Sequence, residues 1–247
     1  VAGTNKDEMN FWYVRSNYFY NSTGGVVLRL QRSEENLKSW IKYRSDIWRY
    51  DGAEEPLRRM ANTNSNLYAY RFDWDEQNNS SFAGNYQLFV GAAHGLEIPF
   101  LTGDFDLGPI TFYIKPFMFP DDSDEGRLAL SDLMMTYWAN IAKYGNPNEF
   151  VKGPKWEKFT QENNQLLILD NPTANLVEMR TIPVSKDDLL SQIEADSALE
   201  IKERCLIGWI AARNFQEDAR PQPPFNFCSN FTEEDLYKLR NLTEGRD

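Results

Sequence analysis

Apolar positions recur along this chain with two different periods, and their alternation sketches the elements. Ser33, Glu34 and Glu35 supply a hydroxyl cap and two first-turn carboxylates. Leu37, Trp40, Ile41, Arg44, Ile47 and Trp48 then follow at three- and four-residue steps. That spacing predicts an amphipathic helix ending near Asp51-Gly52, with a second helical stretch from Pro56 to about Thr63. Leu67 to Phe72 is nearly continuous in apolar and aromatic character, as expected of a strand covered on both faces in a parallel sheet. A polar Asn/Ser loop from Asp75 to Ser81 follows. The strongest helical pattern runs from about Glu125 to Lys143. Asp121, Asp122 and Asp124 crowd its positive end, Leu130, Leu133, Met134, Tyr137, Trp138 and Ile141 form its buried stripe, and Gly145 and Pro147 stop it. Leu166 to Leu169 predicts a short strand. Asp187 to Asn214 predicts one long helix with Leu190, Ile193, Ile201, Cys205, Ile207 and Trp209 on its apolar side. Pro221 to Pro224 reads as a linker, and Thr232-Glu233-Glu234-Asp235-Leu236 opens a short capped terminal helix.

Strands alternating with helices predict an α/β fold, which places chemistry on loops leaving the C-terminal ends of strands. No internal repeat is visible. Composition narrows the function classes. At 247 residues, 41% hydrophobic and with seven Trp, the chain is able to bury a sizeable core. Its apolar patches are strand-sized, well short of the roughly 18–20 residues of a membrane-spanning helix. The 26 basic and 37 acidic side chains give a formal charge of −11, without a basic patch, so nucleic acid and anionic membranes are not expected partners.

Cys205 and Cys228 are the only cysteines and lack metal-site spacing, so no metal site is expected. They are expected as two buried or free thiols, a Cys205–Cys228 disulfide being the alternative, because oxidation depends on a compartment the sequence does not declare. Asn-x-Ser/Thr triplets begin at Asn21, Asn78, Asn79, Asn230 and Asn241, and decide nothing alone.

His94 is the sole histidine, bracketed by Gly91 and Gly95, which allow sharp turns that present a ring in a cleft. On composition alone a lone histidine is more often a solvated or hydrogen-bonded structural residue; if the protein performs general-base chemistry near neutral pH, His94 is the first candidate. A base histidine needs an acid behind it. Two glutamates compete: Glu97, three residues away on the same turn, and Glu8, at the start of the loop after a strand over Val1–Thr4.

Here several blocks resemble one family in order. Gly3-Thr4-Asn5-Lys6-Asp7-Glu8 resembles the segment carrying the triad acid of type-B carboxylesterases and cholinesterases. Ala93-His94-Gly95-Leu96-Glu97-Ile98-Pro99-Phe100 resembles their His-Gly-x-Glu-Ile-Pro block. Tyr68-Ala69-Tyr70-Arg71-Phe72 is similar to the strand before the histidine loop. Met134 to Ala142 with Gly145-Asn146-Pro147-Asn148 is similar to the helix and turn after it, and Trp156 with Leu166 to Asp170 to the last strand region. The resemblance covers residue 1 to about 210. It implies an α/β-hydrolase fold, of which this chain is the C-terminal part of a mostly parallel sheet flanked by helices. Residues 1–214 would belong to that domain, and 215–247 would be a linker with a short helical extension. It also implies Glu8 as acid, His94 as base, Glu97 as a carboxylate anchoring the histidine loop, and Phe11 and Trp12 as substrate-pocket aromatics, for which an ordinary core role stays open. No cofactor is implied. Secretion or a periplasmic location is mildly favoured by the same resemblance.

The family's nucleophile sits in a Gly-x-Ser-x-Gly elbow, and no such pentapeptide occurs here. Gly24-Gly25 is out of place for an oxyanion loop. The N-terminus reads like a strand entering a loop, with no signal peptide. The expectation is a carboxylic ester hydrolase whose serine and oxyanion hole lie on an N-terminal partner fragment, acting on a small-molecule ester. The alternative is a catalytically inactive, cholinesterase-like protein-binding domain. In secreted members, the position resembling Cys205 bridges to a cysteine between the acid and histidine motifs; none lies between Glu8 and His94.

Overall fold

The computed structural model describes every residue except 24–26, 81–83, 107, 109–110, 183–184, 215–223 and 246–247. In chain order it contains strand β1 (Ala2–Asn5), helix α1 (Asn10–Tyr13), β2 (Tyr20–Thr23), β3 (Val27–Leu30) and α2 (Glu34–Arg49). A wider, π-helical turn (Tyr50–Glu54) leads into α3 (Glu55–Met60), then β4 (Ala69–Phe72), β5 (Asn79–Ser80), β6 (Gly84–Asn85) and α4 (Tyr86–Phe89). There follow α5 (Glu97–Thr102), α6 (Thr111–Met118), α7 (Asp124–Tyr144), β7 (Gln165–Leu169), β8 (Glu178–Thr181), α8 (Lys186–Ala195), α9 (Ile201–Asn214) and α10 (Glu233–Glu244).

One four-stranded sheet, ordered β1-β4-β7-β8, organises these elements. β1, β4 and β7 run parallel, with Gly3 opposite Tyr70 and Phe72 opposite Leu169; β8 closes the far edge antiparallel to β7. Parallel neighbours need crossovers, and the helices between these strands provide them. Both faces are covered, which explains why Leu166, Leu167, Ile168 and Leu169 are all buried without alternation. One core cluster unites Phe72, Trp74, Phe100, Trp156 and Leu167 with Trp40, Cys205 and Trp209; a smaller one lies around Leu57, Ala69, Phe159 and Ile168.

Local chemistry sets the helix ends. The Ser33 side chain accepts from the Asn36 N–H, starting α2 as its sequence predicts, and Gly145, left-handed at φ +67, ends α7 with its N–H on the Ile141 carbonyl. Thr232 and Asp235 form a reciprocal capping box at the start of α10.

The structure departs from the pattern-based reading in several places. Asp51-Gly52 does not end the first helix; the backbone widens there and continues into α3. The single helix expected over Asp187–Asn214 is two helices, because the Asp196 carboxylate takes the Ala198 N–H, the Ser39 hydroxyl and the Tyr43 hydroxyl and holds its own backbone extended. Part of the polar loop expected after Asp75 pairs as β5–β6, and the β2–β3 hairpin and β8 had no reading at all. Cys205 and Cys228 are not free thiols: they form a disulfide, their Cα atoms 5.6 Å apart. The packing of residues 225–244 onto α9 brings the two together, a contact that no local pattern encodes. Residues 221–223 of the expected linker, and Gly24 and Gly25, lie outside the described residues. Among the described residues no helix is long and apolar enough to cross a membrane.

Candidate active site

Two loops at the C-terminal ends of the parallel strands build the site. The first leaves β1. Gly3 is required there because a Cβ would stand 2.3 Å from the Tyr70 ring, so only glycine lets β1 lie beside that aromatic. Lys6 N–H extends the ladder onto the Phe72 carbonyl at 2.8 Å, and the chain then turns through Asp7 and Glu8 into α1. The second loop runs from α4 to α5 and carries His94. Gly91 sits at φ +52, where an added Cβ would meet the Asp7 carboxylate at 2.5 Å, and Gly95 at φ +83; both need glycine's left-handed freedom.

The loops are stitched together along their backbones. Asp7 N–H donates to the Ala92 carbonyl and the Asp7 carboxylate accepts from the Ala92 N–H, both at 3.0 Å, while the Asn10 amide donates to the Val90 carbonyl at 2.9 Å. Gln77 adds a bond to the Gly91 carbonyl at 3.0 Å.

On this frame, His94 Nδ1 lies 2.7 Å from Glu8 Oε2. The other oxygen, Glu8 Oε1, accepts from the Asn5 N–H at 2.7 Å. The Glu8 side chain is 5% exposed and that of His94 51%, so the carboxylate lies behind a ring that reaches the surface. Burial pushes the Glu8 carboxyl above its usual range, against the pull of the Asn5 N–H and of His94. A hydrogen bond at Nδ1 leaves Nε2 to exchange a proton with a reacting group, and a carboxylate behind the ring stabilises the imidazolium that results.

Glu97 does not touch His94. The Asn5 amide nitrogen donates to Glu97 Oε2 at 2.5 Å and to the Ala93 carbonyl at 2.6 Å, so Glu97 reaches the histidine loop through Asn5. Trp12 packs on the imidazole with ring centroids 5.4 Å apart, whereas Phe11 is 37% exposed. Two participants escaped sequence reasoning. Trp48, from α2, lies 5.2 Å from the imidazole and 5.5 Å from Trp12, and its helical stripe had marked it as core. Asn5 stood inside the acid block without a role; nothing short of the fold joins it to Ala93.

Charged groups surround the acid loop. Arg71 makes a bidentate pair with Asp73, Lys6 pairs with Asp75 at 2.8 Å, and burial with the charges of Asp75 and Asp73 raises Asp170 to about 6. A cavity of about 650 Å³ opens beside Lys6, Asp7, Asn10, Lys42, Arg71 and Leu88, and its lining includes neither Glu8 nor His94. Among the described residues no group of three or more histidine, cysteine or acidic side chains is arranged to hold a metal.

Comparison with known proteins adds to this geometry. Residues 15–186 match the profile of the carboxylesterase family, a span that includes His94 and Glu97 and begins after Glu8. The chain is 32% identical over 103 residues to acetylcholinesterase of Gallus gallus, covering 42% of this chain and 11% of that protein. It is 40% identical over 68 residues to neuroligin-3 of Macaca mulatta, covering 28% and 30% respectively. The chain thus spans well under half the length of these relatives. A thermophilic PNB esterase superposes on 75% of this chain and 36% of its own, with a TM-score of 0.51 at 19% identity, a likeness of fold: the sheet and helices are those of an α/β-hydrolase.

Proposed function

This chain belongs to the carboxylesterase family, and from that premise we propose that it supplies the acid and base of a Ser-His-Glu site that hydrolyses carboxylic esters. The observation that carries the reading is the 2.7 Å contact between His94 Nδ1 and a buried Glu8 carboxylate. Since no Gly-x-Ser-x-Gly elbow occurs in the sequence, the nucleophile and the oxyanion donors belong to an N-terminal segment outside it. Residues 1–214 are then the C-terminal portion of one hydrolase domain, and 215–247 an extension fastened to it.

In the reaction, His94 Nε2 takes the proton of the serine hydroxyl as its oxygen attacks the ester carbonyl, while Glu8 holds the ring and balances its new charge. Backbone N–H groups of the N-terminal segment stabilise the oxyanion. His94 then protonates the departing alcohol. A water molecule, deprotonated by the same nitrogen, releases the acid and restores the serine. Glu97 steadies the histidine loop through Asn5, and Trp12 forms one wall beside the reacting group.

The test is His94→Gln in the enzyme assembled from this chain and its serine-bearing segment. Turnover of a small nitrophenyl ester is expected to fall by about 10³-fold or more with the fold retained; parental turnover would overturn the assignment. The likeness to neuroligin-3 favours a second reading, a catalytically inactive family member that binds a protein. A paired Glu8 and His94 speak for the hydrolase, because a binding scaffold has no use for a carboxylate aligned behind an imidazole.

A further inference from the structure

We propose that Trp48 is a positioning residue for His94, held in place by the wide turn that follows it; this rests on the reading of His94 as the base. The imidazole is anchored through Nδ1 to Glu8 and is half exposed. One hydrogen bond fixes a distance but leaves a ring free to tilt about the bond. Trp12 and Trp48 remove that freedom. Their planes meet the imidazole at 52° and 39°, and the two indoles contact each other at 5.5 Å, so the three rings form a closed aromatic corner. Trp12 belongs to α1, which follows the acid directly in the chain. Trp48 comes from α2 and gives the ring an independent reference.

The end of α2 explains how that reference is kept. Directly after Trp48, the buried Arg49 pairs with the buried Glu54, which also accepts from Arg58 at 2.8 Å, and this network spans the π-helical turn. The turn folds back on the last turn of α2 and brings Gly52 against the Trp48 indole. Gly52 lies against the indole: a Cβ there would stand 3.1 Å from Trp48 Cδ1, so a larger residue would press the ring outward. Wide turns of this kind cluster at functional sites, and here the turn's product is an indole against the imidazole. When His94 gains a proton, the electron-rich indole also favours the positive ring.

The experiment compares Trp48→Leu with Trp48→Phe. His94 is this chain's sole histidine, so in the assembled enzyme with only this chain ¹⁵N-labelled, the far-downfield proton signal of a histidine Nδ1–H bonded to a carboxylate is unambiguous. Followed across a pH titration, that signal is expected to broaden or vanish in Trp48→Leu and to persist in Trp48→Phe. In the assembled enzyme, Trp48→Leu is expected to lower kcat for a nitrophenyl ester about tenfold with KM nearly unchanged, and Trp48→Phe to recover most of it. If Trp48→Leu does not fold, Gly52→Ala is read by the same two measurements and is expected to weaken both. An unchanged signal and kcat in the folded variant would overturn the proposal, as would a rise in KM alone. Full turnover by His94→Gln would instead overturn the base assignment.

Discussion

Several carboxyl groups near the site hold their protons unusually well for the same reason, Asp7 among them. Glu8 and Asp170 are both raised chiefly by burial. Asp170 rises to about 6 because the Asp75 and Asp73 charges add to the desolvation, with only the Asn171 N–H and Lys6 opposing. A folded value above the unfolded 3.8 means that the stabilisation from Asp170 is full below the unfolded value and is lost as pH rises through about 6. Asp170→Asn is therefore expected to raise stability by about 1 kcal/mol at about pH 7.5, after allowance for solvent screening, and to leave it unchanged at about pH 4. Urea unfolding at the two pH values checks this. His94 and Glu8 were legible as residues because their titratable groups are scarce or stand in a marked motif. Asn5 and Trp48 were not, since an amide joining two loops and an indole leaving a helix end have no one-dimensional signature.

Among the elements, α2 and α3 share a joint whose strength lies in three charged side chains. Arg49 and Glu54 are 2% and 1% exposed, and burial raises the Glu54 carboxyl against the pull of Arg49 and Arg58. Removing one partner from a buried pair leaves a charge without adequate solvation. Arg49→Met is expected to cost about 3 kcal/mol, against less than about 0.5 kcal/mol for Lys38→Met, which breaks an exposed pair with Glu34 on the same helix. Guanidinium unfolding of the two variants measures the difference. The start of α2 was readable because Ser33 caps it locally. Its end was not, because Gly52 ordinarily marks a stop and here serves a widened turn. β8 escaped notice because Glu178 and Arg180, an exposed ion pair on an edge strand, carry no apolar alternation.

At the scale of the whole molecule, the C-terminal region is fastened to the core by covalent and polar links. The disulfide closes a loop across a separation of 23 residues, Ser16 donates to the Leu242 carbonyl, and Leu236 and Leu239 enter the core cluster. Reducing the bond, or Cys228→Ser, is expected to lower stability by about 3 kcal/mol, read as a shift in thermal or urea unfolding with and without reductant. The α/β class was legible from alternating periods. The disulfide was not, because pairing depends on packing and on redox conditions. Fold and site meet in the Asn5 side chain, which joins two loops 88 residues apart in sequence. With its side-chain amide on the Ala93 carbonyl and its own N–H on Glu8, any breathing of this region is expected to be common-mode: Glu8 and the His94 loop drift together, and the gap between them changes less than the position of either.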